Sequence, residues 1–150
     1  MKKILFVCTA NICRSPMAAA MFNALAEDGG LSFRAESAGT TALEGRPMAE
    51  NALAALEEAG IYPEPHRARR VSEAMIEESE LVLVMTPQHA TTLRRLGGDP
   101  PRGIHSLPEY ATGAAGVGIA DPHGLTIDAY RNTLRQLYEY MEHVRGRLEG

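Results

Sequence analysis

Two short runs, Ile4–Val7 (ILFV) and Leu81–Met85 (LVLVM), are apolar at every position. A strand with one face in water alternates polar and apolar residues, whereas an unbroken apolar run has both faces buried. Both faces of a strand are buried most simply in a parallel sheet covered by helices on each side. The segments between the runs fit that arrangement. Ser15–Gly30 reads as a helix, with Ser15 as N-cap, Pro16 at the first helical position and Gly29-Gly30 as a stop. Leu31–Gly39 is a second β-prone segment, followed by a helix over Arg46–Gly60 and a shorter one capped by Ser72. Thr86–Gly98 repeats the sequence of cap, proline, helix and glycine stop. Gly103–Leu107 reads as a fourth strand, and a Gly/Ala-rich loop over 111–124 leads to the last helix. That helix is apolar at Ile127, Tyr130, Leu134, Leu137, Met141, Val144 and Leu148, a helical period. The alternation predicts one α/β domain over residues 1–150, with a four-stranded parallel sheet and helices on both faces.

Composition narrows the function classes. A chain of 150 residues can bury a core without staples, and 45% hydrophobic and 23% charged residues are ordinary for a globular domain. A net charge of -4 argues against nucleic-acid binding by bulk electrostatics. Two cysteines make neither a disulfide framework nor an all-cysteine zinc site. The opening MKKILFV has the charged start of a signal peptide, but its apolar run is far shorter than an h-region, and no spanning segment follows. A cytoplasmic protein with reduced thiols is expected, without membrane partners.

The first strand ends in chemistry. Between Cys8 and Arg14 lie five residues, and a helix starts directly after them. Backbone N–H groups of such a loop converge on its centre, and the helix N-terminus adds partial positive charge. The concavity suits a phosphate-like dianion, which Arg14 would grip through two oxygens better than lysine. The same field favours a thiolate at Cys8, and a thiolate is a nucleophile. Ser15 stands where it can hydrogen-bond that sulfur. A cysteine closing a buried strand is also a common packing residue, so the loop carries weight only through its several features together.

The stretch VCTANICRSPMA closely resembles the signature V-C-x-G-N-x-C-R-S-P of the low-molecular-weight protein tyrosine phosphatases. The likeness extends over essentially the whole chain, through ESAGT, HRARR at 66–70, LVLVMT and ADP at Asp121. It implies a flavodoxin-like fold and metal-free, cofactor-free hydrolysis of phosphomonoesters. One departure is Ala10, where the family carries glycine; if that position needs positive φ, alanine costs about 1 kcal/mol. The resemblance makes Asp121 the general acid, which by residue pattern alone would read as an Asp-Pro turn before the last helix. Cys8, Arg14 and Asp121 then form the catalytic set. Thr9, Ala10, Asn11, Ile12, Cys13 and Ser15 make or support the phosphate loop. Asn11 resembles the family asparagine that holds the loop, with Ser37, His66 and Arg69 in its framework. For each of these four, a plain turn or surface role stands beside that reading.

Cys13 has the wrong spacing from Cys8 for a Cys-x-x-Cys motif. The resemblance gives it a redox role, pairing reversibly with the nucleophile; packing beside the first helical turn is the alternative. His89, His105 and His143 read as surface or satisfied histidines, whereas His123, in the acid loop, either rims the pocket or faces water. Specificity rests on Ile12 and His123. An apolar residue at position 12 is typical of the tyrosine phosphatases, while threonine there marks the protein-arginine phosphatases of the same family. DPHGLTIDAYRNT and MTPQH resemble the arginine branch. Phosphotyrosine proteins are the expected substrates, with phosphoarginine as the alternative, and phosphate and oxyanion analogues as ligands of a monomer or weak dimer. An arsenate reductase would need further cysteines, and a non-catalytic phosphate-binding module would not need Asp121.

Overall fold

The computed structural model describes residues 1–149. Its strands are β1 (Lys2–Cys8), β2 (Phe33–Gly39), β3 (Leu81–Val84) and β4 (Ile104–Ser106). Its helices are α1 (Arg14–Gly29), α2 (Glu50–Glu58), α3 (Glu73–Glu77), α4 (Pro87–Leu96), α5 (Leu107–Thr112) and α6 (Ile127–Glu149). The sheet is wholly parallel in the order β2-β1-β3-β4, the order of flavodoxin-like sheets.

The unbroken apolar runs have the anticipated cause. Along β1, Ile4, Phe6 and Cys8 face one core, with α1, α2, α5 and α6. Leu5 and Val7 face the other, with α3 and α4. Strand β3 divides in the same way, Leu81 and Leu83 against Val82 and Val84. In α6 the residues Tyr130, Leu134, Leu137, Met141, Val144 and Leu148 are buried as their period requires.

The structure differs from the sequence expectations at three boundaries. Helix α1 begins at Arg14, with Cys13 at the cap and no side-chain capping bond. Ser15 is therefore inside the helix and Pro16 is its third residue, where a missing N–H still costs nothing. The Ser15 hydroxyl is released from capping for use elsewhere. Helix α2 begins only at Glu50, because the Arg46–Ala49 stretch is taken up in backbone bonds to Ala68 and Ile12. The short α5, with Pro108 in its first turn, was not anticipated and packs against α6. Gly30 ends α1 in the left-handed region at φ 68, as the glycine stop predicts.

Chain order places the site. From β1 the chain passes to β2 on one side and then crosses to β3 on the other. The carboxyl end of β1, where Cys8 sits, is thus the switch point at which such sheets bind ligands.

Candidate active site

Residues Cys8–Arg14 wrap a cavity of about 150 Å³, and Asp121 and His123 complete its lining. Two backbone bonds tie the start of the loop to the segment after β2, from Thr40 N to Cys8 O (2.9 Å) and from Thr41 N to Thr9 O (3.0 Å). Asn11 is the loop's left-handed residue, at φ 59. Ala10 is not, so alanine in place of the family glycine carries no left-handed strain. Asparagine is among the few side chains that tolerate the region, and here it is also pinned. Its Oδ1 accepts from Arg69 N at 3.0 Å, and its Nδ2 donates to Ser15 Oγ and Ser37 Oγ, each at 2.9 Å. His66 Nε2 bonds Asn11 O at 2.6 Å. Burial pushes the His66 pKa below its ordinary value, which keeps the ring neutral near pH 7 with Nε2–H as the donor. Arg69 completes the frame by donating from Nε to Ser37 O and from Nη2 to Glu36, both at 3.0 Å. The four sequence-predicted supports, Asn11, Ser37, His66 and Arg69, are therefore one connected network.

Ser15 Oγ lies 2.9 Å from Cys8 Sγ and 3.3 Å from Ala38 O. It accepts from Asn11, so its single proton goes either to the sulfur or to that carbonyl. A thiolate attracts the proton more strongly than a carbonyl does.

Arg14 is buried, and two contacts aim its guanidinium. Nη1 donates to Ile119 O at 3.2 Å, and Nη2 stands 3.5 Å from Asp121 Oδ2. The glycine-rich loop that carries Asp121 is itself held. Ile119 N donates to Met85 O (2.8 Å), Thr133 Oγ1 to Ala120 O (3.1 Å), and Gln136 bonds both Ala120 N and Gly118 O. Asp121 remains half exposed over the cavity mouth, where its Oδ1 accepts from His123 N at 3.1 Å. His123 is exposed and on the cavity lining. Ile12, the residue on which specificity is expected to rest, borders the cavity but is nearly buried. It is 5% exposed and belongs to the core cluster that also holds Cys8, Cys13 and Met17.

Cys13 is buried, with Sγ 3.4 Å from Tyr130 Oη, and burial raises its thiol pKa. Both cysteines are free. A larger groove of about 680 Å³ lies behind the loop between α1, β2 and the 60–69 segment. It reaches Ser37, His66 and Arg69 but neither Cys8 nor Asp121, so it borders the supports and not the nucleophile.

Sequence reasoning missed Gly39. A Cβ there would stand 2.4 Å from Thr9 O and 3.0 Å from Asn11 Cβ, so only glycine lets the end of β2 pass under the loop. Gly39→Ala is expected to lower stability by about 1–3 kcal/mol and to displace the loop with loss of activity. Thermal melts and aryl phosphatase assays check this; an active, equally stable variant contradicts it. The signal was a glycine at the end of a strand beside the loop.

Residues 3–149 match the family model described as low molecular weight phosphotyrosine protein phosphatase. The chain belongs to that family. A protein-arginine-phosphatase of Bacillus subtilis (strain 168) is 37% identical over 146 residues, covering 97% of this chain and 96% of the relative. Low molecular weight protein-tyrosine-phosphatase PtpB of Staphylococcus haemolyticus (strain JCSC1435) is 38% identical over 135 residues, covering 90% and 91%. A solved structure of the YwlE arginine phosphatase, a Cys-to-Ser mutant with a phosphorylated active-site serine, superposes with a TM-score of 0.90 at 34% identity. It covers 98% of this chain and 95% of that one. In this phosphatase family, then, the chain has relatives of both specificities.

Proposed function

We propose that the chain is a cysteine-dependent protein phosphatase acting on phosphotyrosine and small aryl phosphates by double displacement. The observation that carries the reading is the convergence of Cys8, Arg14 and Asp121 on one cavity at the start of α1. Cys8 thiolate attacks phosphorus in line while the bond to the leaving oxygen breaks and Asp121 gives that oxygen its proton. The product is a phosphocysteine. Asp121, now a carboxylate, takes a proton from water, whose oxygen bonds phosphorus as the P–S bond breaks and thiolate returns. Throughout, Arg14 and the loop N–H groups hold the equatorial oxygens. The phosphoserine in the YwlE mutant supports a covalent step at the matching position. None of these steps draws on a metal or cofactor.

Ile12 supports phosphotyrosine through its resemblance to the tyrosine phosphatases at this position, and it reaches substrate only by the small part of its surface that borders the cavity. Phosphoarginine is the second reading, favoured by the protein-arginine-phosphatase relative and by Asp121-Pro122-His123-Gly124, where His123 rims the mouth. Parallel kinetics on phosphotyrosine and phosphoarginine peptides decide between them. Wild type is expected to prefer phosphotyrosine, and Ile12→Thr to move the ratio of kcat/KM toward phosphoarginine by about tenfold, the worth of one added hydrogen bond. Preference for phosphoarginine in wild type would reverse the assignment. Phosphoserine peptides are too short to reach the cavity floor and are expected to be poor substrates.

Cys13 serves as a reversible partner for oxidised Cys8 in this reading, within the cytoplasm. The ligands are phosphoproteins, phosphate and oxyanions. Among the described residues no helix is long and apolar enough to cross a membrane.

A further inference from the structure

His89 lies far from the loop in sequence and meets it in space. Its Nε2 is 2.9 Å from Thr9 Oγ1, the side chain next to the nucleophile. On the other side of the ring, Nδ1 is 3.2 Å from Thr86 N and 3.0 Å from Thr86 Oγ1. A backbone N–H only donates, so Nδ1 is an acceptor and cannot carry a proton. The ring is then neutral, with its hydrogen on Nε2, and that hydrogen is donated to Thr9 Oγ1. Burial and the Arg14 charge act in the same direction, lowering the His89 pKa to about 4 against the opposing pull of Asp121.

Thr9 is exposed and is one of the residues lining the active-site cavity. With one lone pair occupied by His89, its hydroxyl keeps a proton with no second protein acceptor among the described residues. A dianion in the cavity is the strongest acceptor within reach of such a proton.

We propose that His89 is a positioning residue for phosphoryl transfer, fixing the Thr9 hydroxyl so that its proton is presented to an oxygen of the bound phosphoryl group. The pair adds a donor to those of the loop backbone and Arg14. It also gives the far side of the ring a use beyond the capping box that Nδ1 makes with Thr86. Without His89 the hydroxyl turns freely and donates to water, and pre-orientation is lost. The inference rests on the phosphatase reading of the cavity.

The test is a double-mutant cycle on Thr9 and His89, read by two measurements. Calorimetric binding of inorganic phosphate needs no turnover, and kcat/KM on p-nitrophenyl phosphate reports the reaction. Thr9→Val is expected to weaken phosphate binding about tenfold, the loss of one hydrogen bond to a charged oxygen, and to lower kcat/KM comparably. His89→Ala is expected to give most of the same loss, with nothing further lost in the double variant. His89→Gln, which returns an N–H donor at similar reach, is expected to recover part of the affinity. A role for His89 as helix support alone would lower the melting temperature while leaving phosphate affinity unchanged, and that result overturns the proposal. So does unchanged affinity in Thr9→Val, or a His89→Ala loss of equal size with and without the Thr9 hydroxyl. A wild type that binds phosphate through Thr9 yet turns over no phosphomonoester would instead sink the phosphatase reading and leave the pairing standing.

Discussion

Cys8→Ser is expected to lower kcat on aryl phosphates by on the order of 10⁴-fold or more while phosphate binding persists. The two effects separate because the loop holds the anion without the sulfur. Arg14 keeps its bond to Ile119 O, and Asn11 keeps the loop in shape through Arg69, Ser15 and Ser37. What disappears is the nucleophile. A serine hydroxyl at this position has Ser15 Oγ as its neighbour, which is no base, so nothing removes its proton before attack. Turnover that does occur should stall, since an alkoxide leaves phosphorus far less readily than a thiolate. Intact-mass measurement after incubation with substrate would then find protein carrying one phosphate. Wild-type turnover in Cys8→Ser would overturn the mechanism at its first step.

The nucleophile loop was legible because its parts are contiguous. Cys8, Asn11, Arg14 and the helix start lie within one turn of chain, and each residue type has few other reasons to occur in that order. The sheet was legible for a related reason. An apolar run without alternation leaves no water-facing side, and the two cores flanking β1 are its direct consequence. Residues acting from a distance were legible only through the family resemblance, as with Asp121, Ser37 and His66. Gly39 was missed altogether, and His89 was read only as a surface or satisfied histidine, because what each meets depends on which carbonyl or hydroxyl the fold brings against it. No local pattern in MTPQH distinguishes a capping histidine from one that also reaches Thr9. Helix α1 was misplaced at its start for a physical reason as well. The Ser-Pro pair carries a capping signature, yet Ser15 is committed to Cys8 and Asn11, and the last loop residue takes the cap position unaided. Ile12 illustrates a further limit, since adjacency to the cradle says nothing of burial, and the core claims most of that side chain.

Asp121→Asn is expected to separate substrates by their leaving groups. On phosphotyrosine peptides, whose phenolate needs a proton as it departs, kcat/KM should fall about 10²–10⁴-fold. On p-nitrophenyl phosphate the nitrophenolate leaves without help, so the loss should be markedly smaller. The contrast follows from the geometry of the acid. Asp121 is half exposed and 3.5 Å from Arg14 Nη2, a contact that adds little stability because solvent screens it. Its loop is held by Thr133, Gln136 and Met85 through backbone atoms that the substitution leaves in place. Folding and phosphate affinity should therefore stay near wild type, and the defect should appear in proton delivery. Asparagine keeps the shape and a hydrogen-bonding carbonyl but has no proton to release at the leaving oxygen and cannot take one from water. A leaving-group plot makes the test quantitative: wild type should show a shallow dependence of kcat/KM on phenol acidity, and Asp121→Asn a steep one. Equal slopes would show that the proton comes from elsewhere, and His123, on the same rim of the cavity, would be the first residue to substitute next.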